Sequence, residues 1–104
     1  MNIIILGAGQ VGGSLTKHLT DEKNDVTVVD SSETALRQLQ DRLDIRTVKG
    51  DASKPTTLAE AGAESADMLI AVTDSDEVNM LACSIAFTLY QTPTKICRIR
   101  EVDY

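Results

Sequence analysis

The sequence predicts an α/β fold: a doubly wound parallel sheet of at least five strands, with helices on both faces. Short apolar runs recur along the 104 residues, and each is followed by a segment whose apolar residues repeat at helical spacing. The connections are short, and strands that alternate with helices imply right-handed crossovers between parallel strands. These two observations, together with a glycine-rich turn directly after the first run, place the chain in this class.

The first half of the chain contains two predicted strands, each followed by a predicted helix. Residues 2–6 form a continuous β-branched run, as expected for a strand covered on both faces. The helix after it presents three apolar residues at helical spacing, Val11, Leu15 and Leu19. Residues 25–29 form a second strand that ends at Asp30, and Ser31 or Ser32 caps the next helix. That helix has its own apolar face, Leu36, Leu39 and Leu43.

The second half repeats the alternation. Residues 45–49 alternate in polarity and predict a third strand near the sheet edge, followed by a turn at residues 50–53. Pro55 suits the first position of a short helix and Gly62 suits its end. The runs 67–72 and 94–99 predict the fourth and fifth strands.

A longer helix is expected between these last two strands. Asp74, with Glu77 three residues later, predicts its N-cap and a capping box. Its predicted buried stripe consists of Val78, Leu81, Ala82, Ile85, Ala86 and Leu89.

Composition excludes several classes of function. The 16 acidic residues outnumber the 10 basic ones, for a net charge of −6, and no basic cluster is present. A nucleic-acid partner is therefore not expected. Every apolar run is too short to cross a bilayer, which predicts no direct membrane insertion. His18 is the one histidine and Cys83 and Cys97 are the two cysteines, so we expect no zinc site and two structural thiols in a reducing cytosol.

The glycine-rich turn has the pattern G-x-G-x-x-G, at Gly7, Gly9 and Gly12. The first glycine permits a sharp turn from strand to helix. The second lets a diphosphate approach the backbone, and the third lets the helix pack closely. The free amides of the helix N-terminus then face the phosphates. The alternative is a tight turn without a ligand.

Asp30 ends the second strand, where a carboxylate can accept hydrogen bonds from the adenosine ribose hydroxyls. A carboxylate at this position also repels a 2′-phosphate. The pattern therefore predicts NAD⁺ or NADH rather than their phosphorylated counterparts.

The loops after the later strands should line the same crevice. Asp51 either hydrogen-bonds an adenine amino group or serves as a turn residue, and Thr73 contacts ribose or phosphate. Asn79 either reaches the crevice or is solvated. Arg98 and Arg100 alternate with Ile99 and therefore share a face. One of them meets a phosphate of a second nucleotide or a partner chain, or both form surface salt bridges.

Catalytic residues are not evident, and we expect no enzymatic activity. Hydride transfer needs a proton donor or acceptor beside the nicotinamide. The sequence has no Tyr-x-x-x-Lys; Tyr90 lies late in a helix and Tyr104 at the terminus, while His18 lies in mid-helix. A cofactor-binding domain of an NAD-dependent oxidoreductase that lacks its catalytic half predicts the same absence.

The sequence resembles the RCK or KTN domains, found in cytosolic regulatory subunits of bacterial Trk potassium uptake systems. The similarity lies in residues 1–13, 25–30, 61–73, 75–79 and 98–100. It implies a Rossmann-like lobe that binds NAD⁺ or NADH, or else ATP or ADP, and changes the gating of a potassium pathway. It also implies a homo-oligomer on the cytoplasmic face of the membrane, with a membrane potassium-translocating subunit as partner.

In this family the glycines bind phosphates and the strand-end acid binds ribose, which maps these roles onto Gly7, Gly9, Gly12 and Asp30. The full candidate cofactor-binding set is Gly7, Ala8, Gly9, Gln10, Val11, Gly12, Asp30, Ser31, Asp51, Ala52, Thr73, Asp74, Asn79, Arg98 and Arg100. Such regulators carry a sixth strand, a crossover helix and a second lobe. Residues 1–104 are therefore expected to be a single NAD-binding domain from a longer chain.

Overall fold

Five parallel strands form one sheet in the computed structural model, which describes residues 1–101. The strands are β1 (Asn2–Leu6), β2 (Asp25–Asp30), β3 (Arg46–Lys49), β4 (Met68–Ala71) and β5 (Thr94–Cys97). Their order is β3-β2-β1-β4-β5, so β3 and β5 are the edge strands. The predicted parallel sheet, and the predicted edge position of the third strand, are confirmed.

Helices cover both faces of the sheet, as predicted. They are α1 (Gln10–Asp21), α2 (Glu33–Gln40), α3 (Pro55–Glu60) and α4 (Asp76–Ile85), with a 3₁₀ turn at Ala63–Ser65 and a π-helical segment at Ala86–Tyr90 after α4. The helices α1 and α2 pack on one face, and α3 and α4 pack on the other. Within the described residues, no helix combines the length and apolar character that a bilayer span requires.

The strand β1 lies at the centre of two hydrophobic cores. Ile3 and Ile5 face the core under α1 and α2, whereas Ile4 and Leu6 face the core under α3 and α4. All four side chains are at most 2% exposed. Burial of each contributes about 1.5–3 kcal/mol, which explains why the run is apolar at every position rather than at alternate ones.

The register aligns the carboxyl ends of the central strands. Leu6 at the end of β1 pairs with Val29 of β2 and with Ala71 of β4. Ala71 in turn pairs with Cys97, the last residue of β5. The loops that follow these strands therefore leave the sheet at one edge, and the candidate site lies there.

Two of the residues predicted at helix ends are confirmed, and one predicted N-cap is wrong. Gly62 ends the α3 segment with φ +91°, and the Ser32 hydroxyl caps α2 by accepting a hydrogen bond from the Ala35 amide. The predicted N-cap Asp74 is wrong. Ser75 caps α4 instead, since its hydroxyl accepts from the Val78 amide at 3.2 Å.

The predicted buried stripe of α4 is only partly correct. Ala82 and Ala86 are fully buried, but Leu81 is 50% exposed and Leu89 is 58% exposed. Leu89 leaves the stripe because the wider π-helical turn after Ile85 breaks the helical period. The fifth strand also ends at Cys97, two residues before its predicted end. Tyr104 lies outside the described residues.

Candidate functional site

A crevice of about 760 Å³ opens at the carboxyl edge of the sheet, a size typical of ligand pockets. Most of the predicted site residues line it: Gly7, Ala8, Gly9, Gln10, Val11, Asp30, Ser31, Asp51, Ala52, Thr73, Asp74 and Arg98. Six further lining residues lie outside the predicted set: Val29, Ala35, Gly50, Val72, Ser75 and Val78. These are apolar or small residues whose exposure depends on how the loops are arranged.

Gly7 makes the turn from β1 into the first helix. Its φ is +115°, and a Cβ at this position would lie 2.8 Å from the Val72 carbonyl oxygen. Both backbone conformation and space therefore require glycine here. Gly12 does not line the crevice. A Cβ on it would lie 1.9 Å from the Gly7 carbonyl oxygen, which confirms that this glycine lets α1 pack closely against the turn.

Gly9 differs from both of its neighbours in the motif. Its φ is −75°, a value that any residue adopts, and a Cβ built on it would have nothing within 4 Å. Neither backbone strain nor packing within the chain explains a glycine at this position. Gly9 lines the crevice and also a second cavity between α1 and α2.

The first turn of α1 begins at the crevice, which Gln10 and Val11 line. Gly9 is the N-cap, and no side chain caps the helix. The amides of the first turn of an α-helix have no partner within the helix, and the helix dipole adds to their partial positive charge. The arrangement can bind an anionic group such as a phosphate.

Asp30 connects the first two loops. Its Oδ2 accepts a hydrogen bond from the Ala8 amide and its Oδ1 accepts one from the Ser32 amide, both at 2.7 Å. A carboxylate has about four lone-pair positions, so positions remain for further donors. Asp30 therefore both fixes the glycine turn and presents acceptors to the crevice.

Asp51 is a turn residue, as one of the two alternatives predicted, and its hydrogen bond to an adenine amino group stays a prediction. Asp51 lines the crevice, and its Oδ1 accepts from the hydroxyl and the amide of Ser53 at 2.6 and 2.9 Å. The Ser53 hydroxyl and amide hold the pKa of Asp51 below its usual range. The carboxylate is thus kept ionised as a hydrogen-bond acceptor.

Asn79 neither reaches the crevice nor is solvated, so both predicted positions are wrong. Its side chain is completely buried. The Oδ1 accepts from the Thr73 amide and hydroxyl, and the Nδ2 donates to the carbonyls of Thr73 and Arg98. Asn79 therefore connects two loops that line the crevice without lining it itself. All four of its hydrogen bonds go to Thr73 and to the backbone carbonyl of Arg98.

Arg98 and Arg100 do not share a face, contrary to expectation. Arg98 lines the crevice, whereas Arg100 donates from its guanidinium to the Asp74 carbonyl and lies beside Asp76. The reason is that β5 has already ended at Cys97, so strand alternation no longer applies.

Asp76 is a structural residue that the sequence did not reveal. Its carboxylate accepts hydrogen bonds from the amides of Arg100 and Glu101 at 2.8–3.1 Å. These two backbone hydrogen bonds hold the pKa of Asp76 below its usual range. An acidic residue in a first helical turn is common, so no sequence signal pointed to a contact with the segment after β5.

Comparison with known proteins identifies the family. The TrkA-N domain family matches residues 3–104. The chain belongs to the TrkA-N domain family.

Relatives of this TrkA-N domain carry potassium-transport names. The chain is 62% identical to the Trk system potassium uptake protein TrkA of Halomonas elongata and 58% identical to that of Vibrio alginolyticus. Each comparison covers the whole chain but 23% of the relative. The domain thus corresponds to about a quarter of these proteins.

Solved structures show the same fold. The TrkA-N domain of the inner membrane protein ybaL from Escherichia coli superimposes with a TM-score of 0.85 at 25% identity, over 98% of this chain and 75% of that one. The Kef CTD of Shewanella denitrificans in its AMP-bound form superimposes with a TM-score of 0.78 at 23% identity, over 92% of this chain and 57% of that one.

Proposed function

We propose that this TrkA-N domain binds NAD⁺ or NADH in the crevice and thereby regulates a membrane potassium-translocating subunit, without catalysing a reaction. The observation that carries the proposal is Gly9. The fold itself gives no reason for a glycine there, since a Cβ would meet nothing, but a diphosphate seated on the α1 amides would need that space.

The two ends of the crevice suit the two halves of a dinucleotide. Asp30 would accept hydrogen bonds from the adenosine ribose, with Ser31 beside it and Asp51 and Ala52 on the adenine side. Thr73 and Arg98 lie on the other side of the glycine turn and would face the second nucleotide. Gly12, Asn79 and Arg100 would act indirectly, by fixing the loops.

Charge favours a dinucleotide over ATP. Among the described residues that line the crevice, Arg98 is the one cation and three are aspartates, Asp30, Asp51 and Asp74. Backbone amides can neutralise part of a diphosphate, but a triphosphate brings more negative charge toward these carboxylates. The AMP-bound Kef structure supports an adenine nucleotide as the ligand class, a class that also includes ADP and ATP.

Regulation requires that the nucleotide bind two states of the protein with different affinity. The TrkA names of the relatives support a role in potassium uptake. We therefore place the domain at the cytoplasmic face of the membrane, as part of a homo-oligomer attached to the potassium-translocating subunit.

A flux measurement tests this function. The full-length protein that carries this domain is reconstituted with its potassium-translocating subunit in vesicles. NADH is then added on the side of the vesicle membrane where this domain lies. We expect potassium flux to change while NADH absorbance stays constant. Consumption of NADH with a carbonyl substrate would instead identify a cofactor domain of an oxidoreductase, and unchanged flux would contradict regulation.

A further inference from the structure

Three contacts join α4 and the segment after it to β5 and to the residue that follows β5. The helical side contributes residues spaced four apart, Asn79, Cys83 and Phe87. Their partners on the strand side are, in the same order, Arg98, Ile96 and Lys95. The order descends along β5 as it ascends along the helix, so the two elements run antiparallel to each other with side chains meeting at successive levels.

The middle contact brings the two thiols of the chain together. The Cys83 thiol donates to the Ile96 carbonyl at 3.7 Å. Cys97, the next residue, pairs with Ala71, which belongs to the core that Cys83 packs against. Both cysteines are reduced and partly exposed. The sequence contains no other cysteine, so each thiol has the other as its one disulfide partner within the chain.

We propose that Cys83 and Cys97 are a reversible dithiol–disulfide pair, oxidised by low-molecular-weight disulfides such as oxidised glutathione, and that the bond locks α4 to β5. In a reducing cytosol the pair stays in the dithiol form. The bond forms when the glutathione pool becomes oxidised, which goes beyond the purely structural role expected from the sequence. The proposal does not depend on nucleotide binding.

The bond forms in two steps. Burial and the neighbouring Cys97 raise the pKa of Cys83 to about 12. The thiolate is the nucleophile, so one of the two cysteines first ionises and attacks the oxidant. This step forms a mixed disulfide on that cysteine and releases one glutathione thiolate, which takes up a proton.

The second step closes the bond. The other cysteine loses its proton to solvent and attacks the sulfur of the first, and the second glutathione leaves as a thiolate that is protonated in turn. In total the two cysteines lose two electrons and two protons, and one molecule of oxidised glutathione becomes two of the reduced form. Bond formation accelerates as pH rises, because each attacking thiol must ionise.

The bond would act on the part of the fold that forms one end of the crevice. Cys97 directly precedes Arg98, which lines the crevice, and Cys83 lies one turn after Asn79, which holds the Arg98 carbonyl. The loop closed by the disulfide runs from residue 83 to residue 97. A cross-link of that length restricts the unfolded chain and raises thermal stability.

Mass spectrometry of the chain after incubation with oxidised glutathione tests the proposal. We expect the wild type to lose two hydrogen atoms without gaining glutathione, and to regain them with dithiothreitol. The Cys83→Ser variant should stop at a glutathione adduct on Cys97. The oxidised wild type should melt at least about 5 °C above the reduced form.

The proposal would be overturned if both thiols of the wild type still react with an alkylating reagent after incubation with oxidised glutathione. It would also be overturned if the wild type keeps a glutathione adduct that never converts to an internal disulfide, or if disulfide-linked dimers appear on a non-reducing gel. An oxidised form that melts no higher than the reduced one would overturn the locking role. The wild-type measurements stand even if the serine variant folds poorly, and circular dichroism of the reduced variant checks its fold.

Discussion

At the scale of single residues, the three glycines of the first turn have different physical causes. Gly7 is required by its positive φ, and Gly12 by the carbonyl that its Cβ would meet. Gly9 is required by neither. The motif could be found in the sequence, but the sequence could not separate these causes, because they depend on the distance between loops that are far apart in the chain.

Replacement of Gly9 by valine should abolish or strongly weaken NADH binding while leaving the fold intact. The reason is that the added side chain would occupy the space assigned to the diphosphate and would contact no protein atom at its Cβ. Titration calorimetry with NADH and circular dichroism measure the two effects. Gly13→Ala is the matched control, since its Cβ would meet only the Leu39 side chain at 3.4 Å. Equal NADH affinity for the Gly9 variant and the control would contradict the assignment.

Asp30→Ala should weaken NADH binding by about 1.5–3 kcal/mol, the usual contribution of a hydrogen bond to a charged group. It should also lower the melting temperature, because the amides of Ala8 and Ser32 lose their acceptor. Asp44→Ala is the control for net charge, since Asp44 is an exposed carboxylate outside the crevice. If NADH affinity falls equally in both variants, the ribose role of Asp30 is excluded.

At the scale of elements, α4 organises the ends of β4 and β5 with buried polar side chains. Asn79 bonds the loop after β4 and the residue after β5, and Asp76 bonds the next two amides. The sequence predicted both the helix and the two strands. It missed these contacts because an Asn or Asp in a first helical turn is ordinarily exposed, and its burial results from where β5 ends.

Asp76 gives this junction a pH dependence with a defined sign. Its pKa lies below the ordinary value of 3.8 in the folded chain. Its stabilising effect is therefore complete at pH values above the unfolded pKa, and is lost as pH falls through the lower folded pKa.

Thermal unfolding as a function of pH measures this effect. The wild type should lose stability below about pH 4, and Asp76→Asn should lose less over the same interval because it has no carboxyl to protonate. Asp74→Asn, which changes an exposed carboxyl two residues earlier, should follow the wild type. Parallel curves for wild type and Asp76→Asn would show that the carboxylate of Asp76 does not support the fold.

At the scale of the whole molecule, the strand pattern and the helix faces could be predicted from the sequence because the spacing of apolar residues along the chain determines them. Several large apolar side chains are nevertheless exposed. Among them are Phe87 and Leu89, which precede the edge strand β5, and Ile96, which lies on it; they are 66%, 58% and 47% exposed. A sheet edge with unpaired backbone groups and apolar neighbours favours association with another chain.

The isolated chain should therefore self-associate through this face. Sedimentation velocity should show a concentration-dependent increase in mass for the wild type. Ile96→Lys should reduce that increase, because a lysine on an edge strand disfavours strand pairing. Thr47→Lys on β3, the opposite edge strand, should not. A wild-type chain that stays monomeric at every concentration would argue against a homo-oligomer formed by this face.

Crystallographic density for NADH soaked or co-crystallised with the chain tests the nucleotide proposal most directly. We predict the diphosphate beside Gly9, within hydrogen-bond distance of the first-turn amides of α1, and the adenosine ribose hydroxyls on the Asp30 carboxylate. An empty crevice at saturating NADH, or a nucleotide whose diphosphate lies away from the glycine turn, would contradict it.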